Sequence, residues 1–376
     1  MRLVPVALAS RIYRGFWRAL PPSAQFPLDG VEAALRGKAD LIRHLDLTAG
    51  LLRRRRHKEA LFVGWVLAGD ESSGAARVRA LLPHAFLRTQ GVNSVIVRKP
   101  RKEFAPFRPR REDVARIVRA GFDVVVFQGV DGPDAEALAR ALSAAGTRTV
   151  YAIGDLTRTG IAEAVDLVVV ASDALRAAAP GRPEAIEVIE SAIDAPPGLV
   201  KDYSRPPDRA DIRVAWVGYP ENLHLLEPVR EALRHPRLAR FQLVTISRGP
   251  GVTYQWDRKR VHQQLLACDI AVLPSAPTDW YAAKPNTRAT MLKALGLPIV
   301  ASPIASYLET LEHGKSGYFA RDVEEWIRYL EALADFEHRR EIGLADRERI
   351  LARYGADAIG RRWLDLLERL APRQDP

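Results

Sequence analysis

Two α/β domains, each built on a parallel sheet, are the architecture this sequence predicts, and three observations predict it. From residue 61 onward, short and near-continuous apolar runs alternate with helical patterns, as in parallel sheets covered on both faces. A proline-rich stretch at 195–211, with Pro196, Pro197, Pro206 and Pro207, interrupts that alternation. The alternation then restarts and gives way to a helical tail. We read the chain as α/β, with two doubly wound, Rossmann-like domains facing across a cleft and an extra N-terminal helical, basic segment. The expected divisions are 1–60 for that extension, 61–195 for the first domain and 196–211 for the linker. The second domain follows at 212–355, and 356–376 forms a C-terminal helix able to return to the first domain.

The elements follow in order. Leu61 to Ala68 is the first strand pattern, and the loop from Gly69 to Gly74 leads to a helix reaching Gln90. Val92 to Val97, Asp123 to Phe127, Thr149 to Ile153, Leu167 to Ala171 and Ile186 to Ile189 are further β-branched runs. Helical patterns at 111–120 and 133–145 separate some of them. Beyond the linker, Val214 to Val217, Phe241 to Ile246, Ile270 to Leu273 and Ile299 to Ala301 read as strands. From Val323 the chain is helical, broken near Gly343 and Gly355.

Composition excludes several classes. A chain of 376 residues with 47% apolar content is ample for two cores. The lone Cys268 excludes an intrachain disulfide and a multi-cysteine metal site; in an apolar strand pattern it is expected to be a buried structural thiol. The eight histidines show no zinc-like spacing. No run reaches the ~20 apolar residues that span a bilayer. Leu3 to Ala9 imitates a signal peptide only faintly, being short and interrupted by Pro5, so a cytoplasmic protein is expected.

The net charge of +10 is uneven, since residues 1–60 hold a balance of +7. Arg11, Arg14 and Arg18 interleave with Tyr13, Phe16 and Trp17. Arg53 to Arg56 with His57 and Lys58 form a basic block, and a second runs from Arg98 through Lys99, Arg101 and Lys102 to Arg108, Arg110 and Arg111, beside Phe104 and Phe107. Such patches suit peripheral contact with an anionic membrane surface; no nucleic-acid motif accompanies them.

Ligands of doubly wound sheets bind beyond the carboxyl ends of the strands, so the strand-to-helix loops are the candidate sites. In the first domain, Gly69, Asp70, Ser72, Ser73 and Gly74 form a loop whose serines can cap the helix bearing Arg77 and Arg79. The spacing is not the dinucleotide fingerprint. These residues, with Arg77, are the candidate acceptor pocket. Asp155 and Asp131 end two other strands and are the candidate catalytic carboxylates for general-base or orienting work. In the second domain, Gly218, Ser247 and Arg248 follow two strands. Lys284, Asn286, Thr287 and Arg288 form a polar, cationic entry to a short helix that ends in Gly296-Leu297-Pro298. Helix amides with Lys284, Arg288 and Arg248 would hold an anionic ligand such as a diphosphate, whose charge rises as a leaving group.

A family resemblance rests on specific residues. These are Val63-Gly64-Trp65-Val66, Val169-Val170-Ala171-Ser172, Ile189 through Asp194, Val214 to Gly218, Asp269 to Pro274, Ala294-Leu295-Gly296-Leu297-Pro298-Ile299-Val300-Ala301, and His313-Gly314-Lys315-Ser316-Gly317-Tyr318. From about residue 61 to 371 the chain resembles the GT-B retaining enzymes called glycosyl transferases group 1. The resemblance implies transfer of a sugar from a nucleotide-sugar donor held mainly by the C-terminal domain. It also implies no required metal and no cofactor beyond the nucleotide-sugar co-substrate. The acceptor would be a glycan or lipid-linked molecule in polysaccharide or glycoconjugate synthesis. The family usually carries two glutamates eight positions apart around the donor; here those positions are Ala283 and Met291, and Lys284 and Arg288 are the candidate substitutes. Two classes stay open, this glycosyltransferase and a non-catalytic GT-B scaffold or binding protein; a sugar-nucleotide epimerase of similar fold is disfavoured, because its His/Glu/Asp constellation is not evident.

Overall fold

The structure, a computed structural model, describes residues 38–57, 59–100, 107–155, 160–180, 182–276 and 278–371. The cation-aromatic reading of residues 11–18, and the part of the second basic block at Arg101, Lys102 and Phe104, lie outside the described residues.

Among the described residues, two six-stranded parallel sheets carry the fold. The first contains β1 (Phe62–Leu67), β2 (Asn93–Arg98), β3 (Val124–Gln128), β4 (Arg148–Ala152), β5 (Leu167–Val170) and β6 (Ile186–Val188), in the order β2-β1-β3-β4-β5-β6. The second contains β7 (Ile212–Val217), β8 (Phe241–Ser247), β9 (Tyr254–Gln255), β10 (Ile270–Leu273), β11 (Ile299–Ala301) and β12 (Tyr318–Phe319), in the order β12-β11-β10-β7-β8-β9. Each sheet reverses winding direction once, between β1 and β3 and between β7 and β10. Those switch points open crevices at the strand carboxyl ends. The short β9 and β12 carry too few residues for a strand pattern to show in the sequence.

Burial explains why the apolar runs are continuous rather than alternating. Val63, Trp65 and Leu67 point to one face of the first sheet, while Phe62 and Val66 point to the other, and all five are inaccessible to solvent. The second sheet is likewise packed on both faces. The resulting fold class is the one the apolar alternation predicts.

The C-terminal helix Ala356–Leu370 crosses back to the first domain. Ile359, Trp363, Leu366 and Leu367 join the cluster around Trp65, with the Trp65 and Trp363 rings 5.3 Å apart at 63°. Gly360 makes this approach possible, since a Cβ there would lie 2.3 Å from the Phe86 ring. Glu190, at the end of β6, receives Arg353 and Arg362 from the tail.

Three sequence expectations are corrected. The boundary at residue 60 does not separate the helix Lys38–Arg56 from the first domain, because Leu47 enters the core beside Phe62 and Val95. Arg53 donates to Asn93 at 3.0 Å, and Arg54 grips Asp123 with both guanidinium nitrogens at 2.8 and 2.9 Å. Two members of that basic block, Arg53 and Arg54, therefore hold the domain together, leaving Arg55, Arg56 and His57 exposed. The proline-rich linker is a strap on the second domain: the Lys201 N–H donates to Leu295 at 2.8 Å, and the buried Tyr203 hydroxyl donates to the Gly296 carbonyl at 2.9 Å. Cys268 is buried as expected, but in the turn before β10 rather than within a strand, and burial pushes its thiol up to about 11.

Behind β2, Trp65 Nε1 donates to Ser94 Oγ at 2.9 Å, and Ser94 lies 2.7 Å from His84 Nδ1. Burial drives the His84 pKa down to about 4, so the ring is neutral. A depressed histidine pKa means the unfolded chain binds the extra proton first, so stability falls as pH drops from about 6.5 toward 4. The full effect is about 3 kcal/mol. His84→Gln is expected to flatten that part of a urea-unfolding pH profile; an unaltered profile would remove His84 as its cause.

Candidate active site between the two domains

The sheets face each other through their strand carboxyl ends, and the candidate residues lie there. Gly218 follows β7, Ser247 and Arg248 end and follow β8, and Pro274 and Ser275 follow β10. Ser247 Oγ donates to the Gly218 carbonyl at 2.7 Å, joining two of these loops. The next segment, Lys284 to Arg288, enters the helix Thr287–Ala294 beside β10 and β11. This helix ends where Gly296, at φ 77°, lets the Leu297 N–H reach back to the Leu292 carbonyl at 3.1 Å, and Pro298 then opens β11.

The central contact crosses the cleft. Lys284 Nζ lies 2.7 Å from Asp155 Oδ1, pairing a candidate donor cation with a candidate catalytic carboxylate from the other domain. The lysine side chain is 24% exposed and that of the aspartate 51%, so the pair sits at a wet mouth. Ala283 packs into the first domain's core, which anchors this end of the segment to the opposite sheet.

Arg288 is half-buried, reaching the Val217 carbonyl at 3.5 Å and the Tyr307 hydroxyl at 3.4 Å. These are long, neutral contacts, so its charge is not neutralised by them. Asn286 is buried and donates to Thr310 at 2.9 Å, and Thr287 is the first residue of the helix. Asn286 therefore supports the turn, while Lys284 and Arg288 bring the charge.

The glycine loop behaves differently. Ser73 is the helix N-cap, accepting the Ala76 N–H at 3.3 Å, and the Ser72 N–H donates to Asp70 at 2.8 Å. Gly69 packs against Ser73, and Gly74 opens the helix. Arg77 is 7% exposed: Nε and Nη2 clamp Asp194, and Nη1 donates to the Glu71 carbonyl. Arg77 is thus a structural tie rather than a cation offered to an acceptor. Asp131 is exposed after β3, and among the described residues no hydrogen bond or ion pair is seen for it.

Sequence reasoning missed Trp256. The guanidinium of Arg77 lies 5.4 Å from its ring and that of Arg248 lies 5.0 Å away, so cations from both domains meet one indole. Arg248 also donates to the Ser72 carbonyl at 3.4 Å, and His262 Nε2 lies 2.7 Å from the Asp194 carbonyl. The sequence signal was faint: one tryptophan just ahead of Arg258-Lys259-Arg260. Among the described residues, no group of three or more His, Cys, Asp or Glu is placed to hold a metal ion.

Residues 209–365 match the family model described as glycosyl transferase-like. That segment is similar to glycosyl transferase-like domains, and the chain has the GT-B fold. Among solved structures it is similar to Anabaena HepE in complex with UDP, with TM-score 0.60 and 16% identity over 82% of this chain and 100% of that one. A glycosyltransferase from Rickettsia africae matches with TM-score 0.59 and 11% identity over 84% of this chain and 100% of that one. Sucrose-phosphate synthase from Thermosynechococcus elongatus matches with TM-score 0.57 and 14% identity, covering 82% and 99%. No curated protein sequence matches the chain.

In this chain the two positions expected to carry glutamates are packing positions: Ala283 is buried against the first domain and Met291 is buried in the second. The charged groups at the cleft are instead Lys284, Arg288 and Asp155. Arg77 and Lys284 should therefore respond differently to alanine. Arg77→Ala leaves Asp194 without its clamp and is expected to cost about 2–4 kcal/mol in chemical unfolding. Lys284→Ala removes a half-exposed pair and is expected to cost under about 1 kcal/mol. Equal losses would contradict this division of roles.

Proposed function

We propose that the protein transfers a sugar from a nucleotide-sugar donor to a glycan or lipid-linked acceptor, without a metal. The observation that carries the reading is the pairing of Lys284 with Asp155 across the cleft, within a glycosyl transferase-like domain. Several of the solved structures similar in fold hold UDP, UDP and glucose, or UDP-glucose, which supports a nucleotide-sugar donor.

In this reading the donor diphosphate lies on Lys284 and Arg288 near the N-terminus of the helix Thr287–Ala294. The bond between the sugar's anomeric carbon and the phosphate oxygen breaks, and its electron pair stays with the diphosphate. Lys284 and Arg288 stabilise that growing charge, the task a metal performs elsewhere. The acceptor oxygen bonds to the anomeric carbon and its proton passes to Asp155. Before the donor arrives, Asp155 occupies Lys284; the diphosphate displaces it and releases the carboxylate for the acceptor. Peripheral attachment to an anionic membrane is part of the proposal, supported by the exposed Arg55, Arg56, Arg108, Arg110 and Arg111. Among the described residues no helix is long and apolar enough to cross a membrane.

A second reading, a binding or scaffold protein of the same fold, is favoured by Ala283 and Met291 at the two glutamate positions. Calorimetric titration with a panel of nucleoside diphosphates and nucleotide sugars separates the two. Saturable binding is expected, weakened at least about tenfold by Lys284→Ala or Arg288→Ala and retained by Asp155→Asn, with turnover in that last variant lowered about a hundredfold but still measurable. No binding across the panel would favour the scaffold. Replacing Arg55, Arg56, Arg108, Arg110 and Arg111 by glutamate is expected to abolish sedimentation with anionic vesicles; unaltered sedimentation would remove the membrane proposal.

A further inference from the structure

Arg79 is a charged group that neither the helix cap nor the donor site uses. It lies in the π-helical turn Arg77–Leu81 within the helical stretch after the glycine loop, and it is 2% exposed. Its Nη atoms donate to the carbonyls of Ile189 and Val169 at 3.1 Å each, at the carboxyl ends of β6 and β5. Its Nε is buried with no hydrogen-bond partner among the described residues. Among the described residues no carboxylate is in hydrogen-bond contact with it. A buried guanidinium held only by neutral carbonyls is costly, and π-helical turns occur frequently at functional sites.

The turn carrying Asp155 passes directly over this side chain. A Cβ on Gly154 would lie 3.1 Å from Arg79 Cδ and 3.8 Å from Nε, so the backbone crosses close over the arginine and a side chain here would press on its stem. Burial lowers the Arg79 pKa to about 10, and the carboxylates that oppose this are Asp155 first and Glu190 second. Glu190 is already held by Arg353 and Arg362. Asp155 is held from the solvent side by Lys284.

We propose that Arg79 is a positioning residue for the transfer reaction: it seats the Gly154–Asp155 turn from beneath and holds the Asp155 carboxylate at the mouth of the cleft. Its fixed charge keeps Asp155 in place when the diphosphate takes Lys284 away. This rests on the catalytic reading of Asp155 given above. It adds a residue that contacts neither donor nor acceptor.

Steady-state kinetics on Arg79→Lys, Arg79→Met and Gly154→Ala test it, each scaled to the folded fraction from circular dichroism. For Arg79→Met and Gly154→Ala, kcat is expected to fall at least about tenfold while the donor KM stays within about twofold, and Arg79→Lys recovers part of the loss. In an Asp155→Asn background the same substitutions are expected to cost nothing further, because the group they position is already disabled. A purely structural Arg79 would lower the unfolding midpoint and leave kcat per folded molecule unchanged. That result, or losses that multiply with Asp155→Asn, overturns the inference while turnover by the wild type keeps the sugar-transfer reading. If Arg79→Met fails to fold, Gly154→Ala and Arg79→Lys decide the matter. Absence of both nucleotide binding and turnover with every donor in the panel would bring down the reading and the inference together.

Discussion

The burial of the C-terminal helix against the opposite domain is the constraint on which the site depends. Trp363 lies on Trp65 in the core of the first sheet, so the chain's last helix belongs to the domain where the strands begin. Burying a tryptophan with Ile359, Leu366 and Leu367 contributes several kcal/mol, far more than any exposed ion pair at the cleft. That apolar seal sets how the two sheets meet. The polar contacts between their loops then select one register of approach.

Those polar contacts fall into two kinds. Arg77 with Asp194 is largely buried, and the buried Glu190 carboxylate is shared by Arg353 and Arg362, whose own side chains are about half exposed; both sets join segments far apart in the chain. Lys284 with Asp155, and Arg248 with Ser72, are more exposed and face the crevice. Buried, multidentate pairs resist exchange because breaking them strands a charge away from water. Exposed pairs exchange readily with an incoming anion. The difference in solvation assigns structure to the first kind and ligand exchange to the second, although both pair a cation with an oxygen.

Ala283 and Met291, at the two positions expected to carry glutamates, are packed into the apolar cores of the first and second domains. The electrostatic work at the cleft passes to cations on the second domain and a carboxylate on the first. In the proposed reading, a donor site built this way would recognise the phosphates more than the sugar, since its charged groups are donors for phosphate oxygens.

The sequence alone determined the two-sheet architecture, the strand runs and the placement of Gly218, Ser247, Lys284 and Arg288 at strand carboxyl ends. Burial on both sheet faces writes itself directly into apolar runs such as Val124 to Phe127 and Ile270 to Leu273. The tertiary structure decided which cations are available. Arg53, Arg54, Arg77 and Arg79 read in sequence like any surface arginine, yet all four bond to distant groups. Arg77 and Arg79 lie two residues apart, one clamped on a carboxylate and the other buried beneath a glycine. Local periodicity carries no information about partners over a hundred residues away, so only the folded chain reveals what each charge meets.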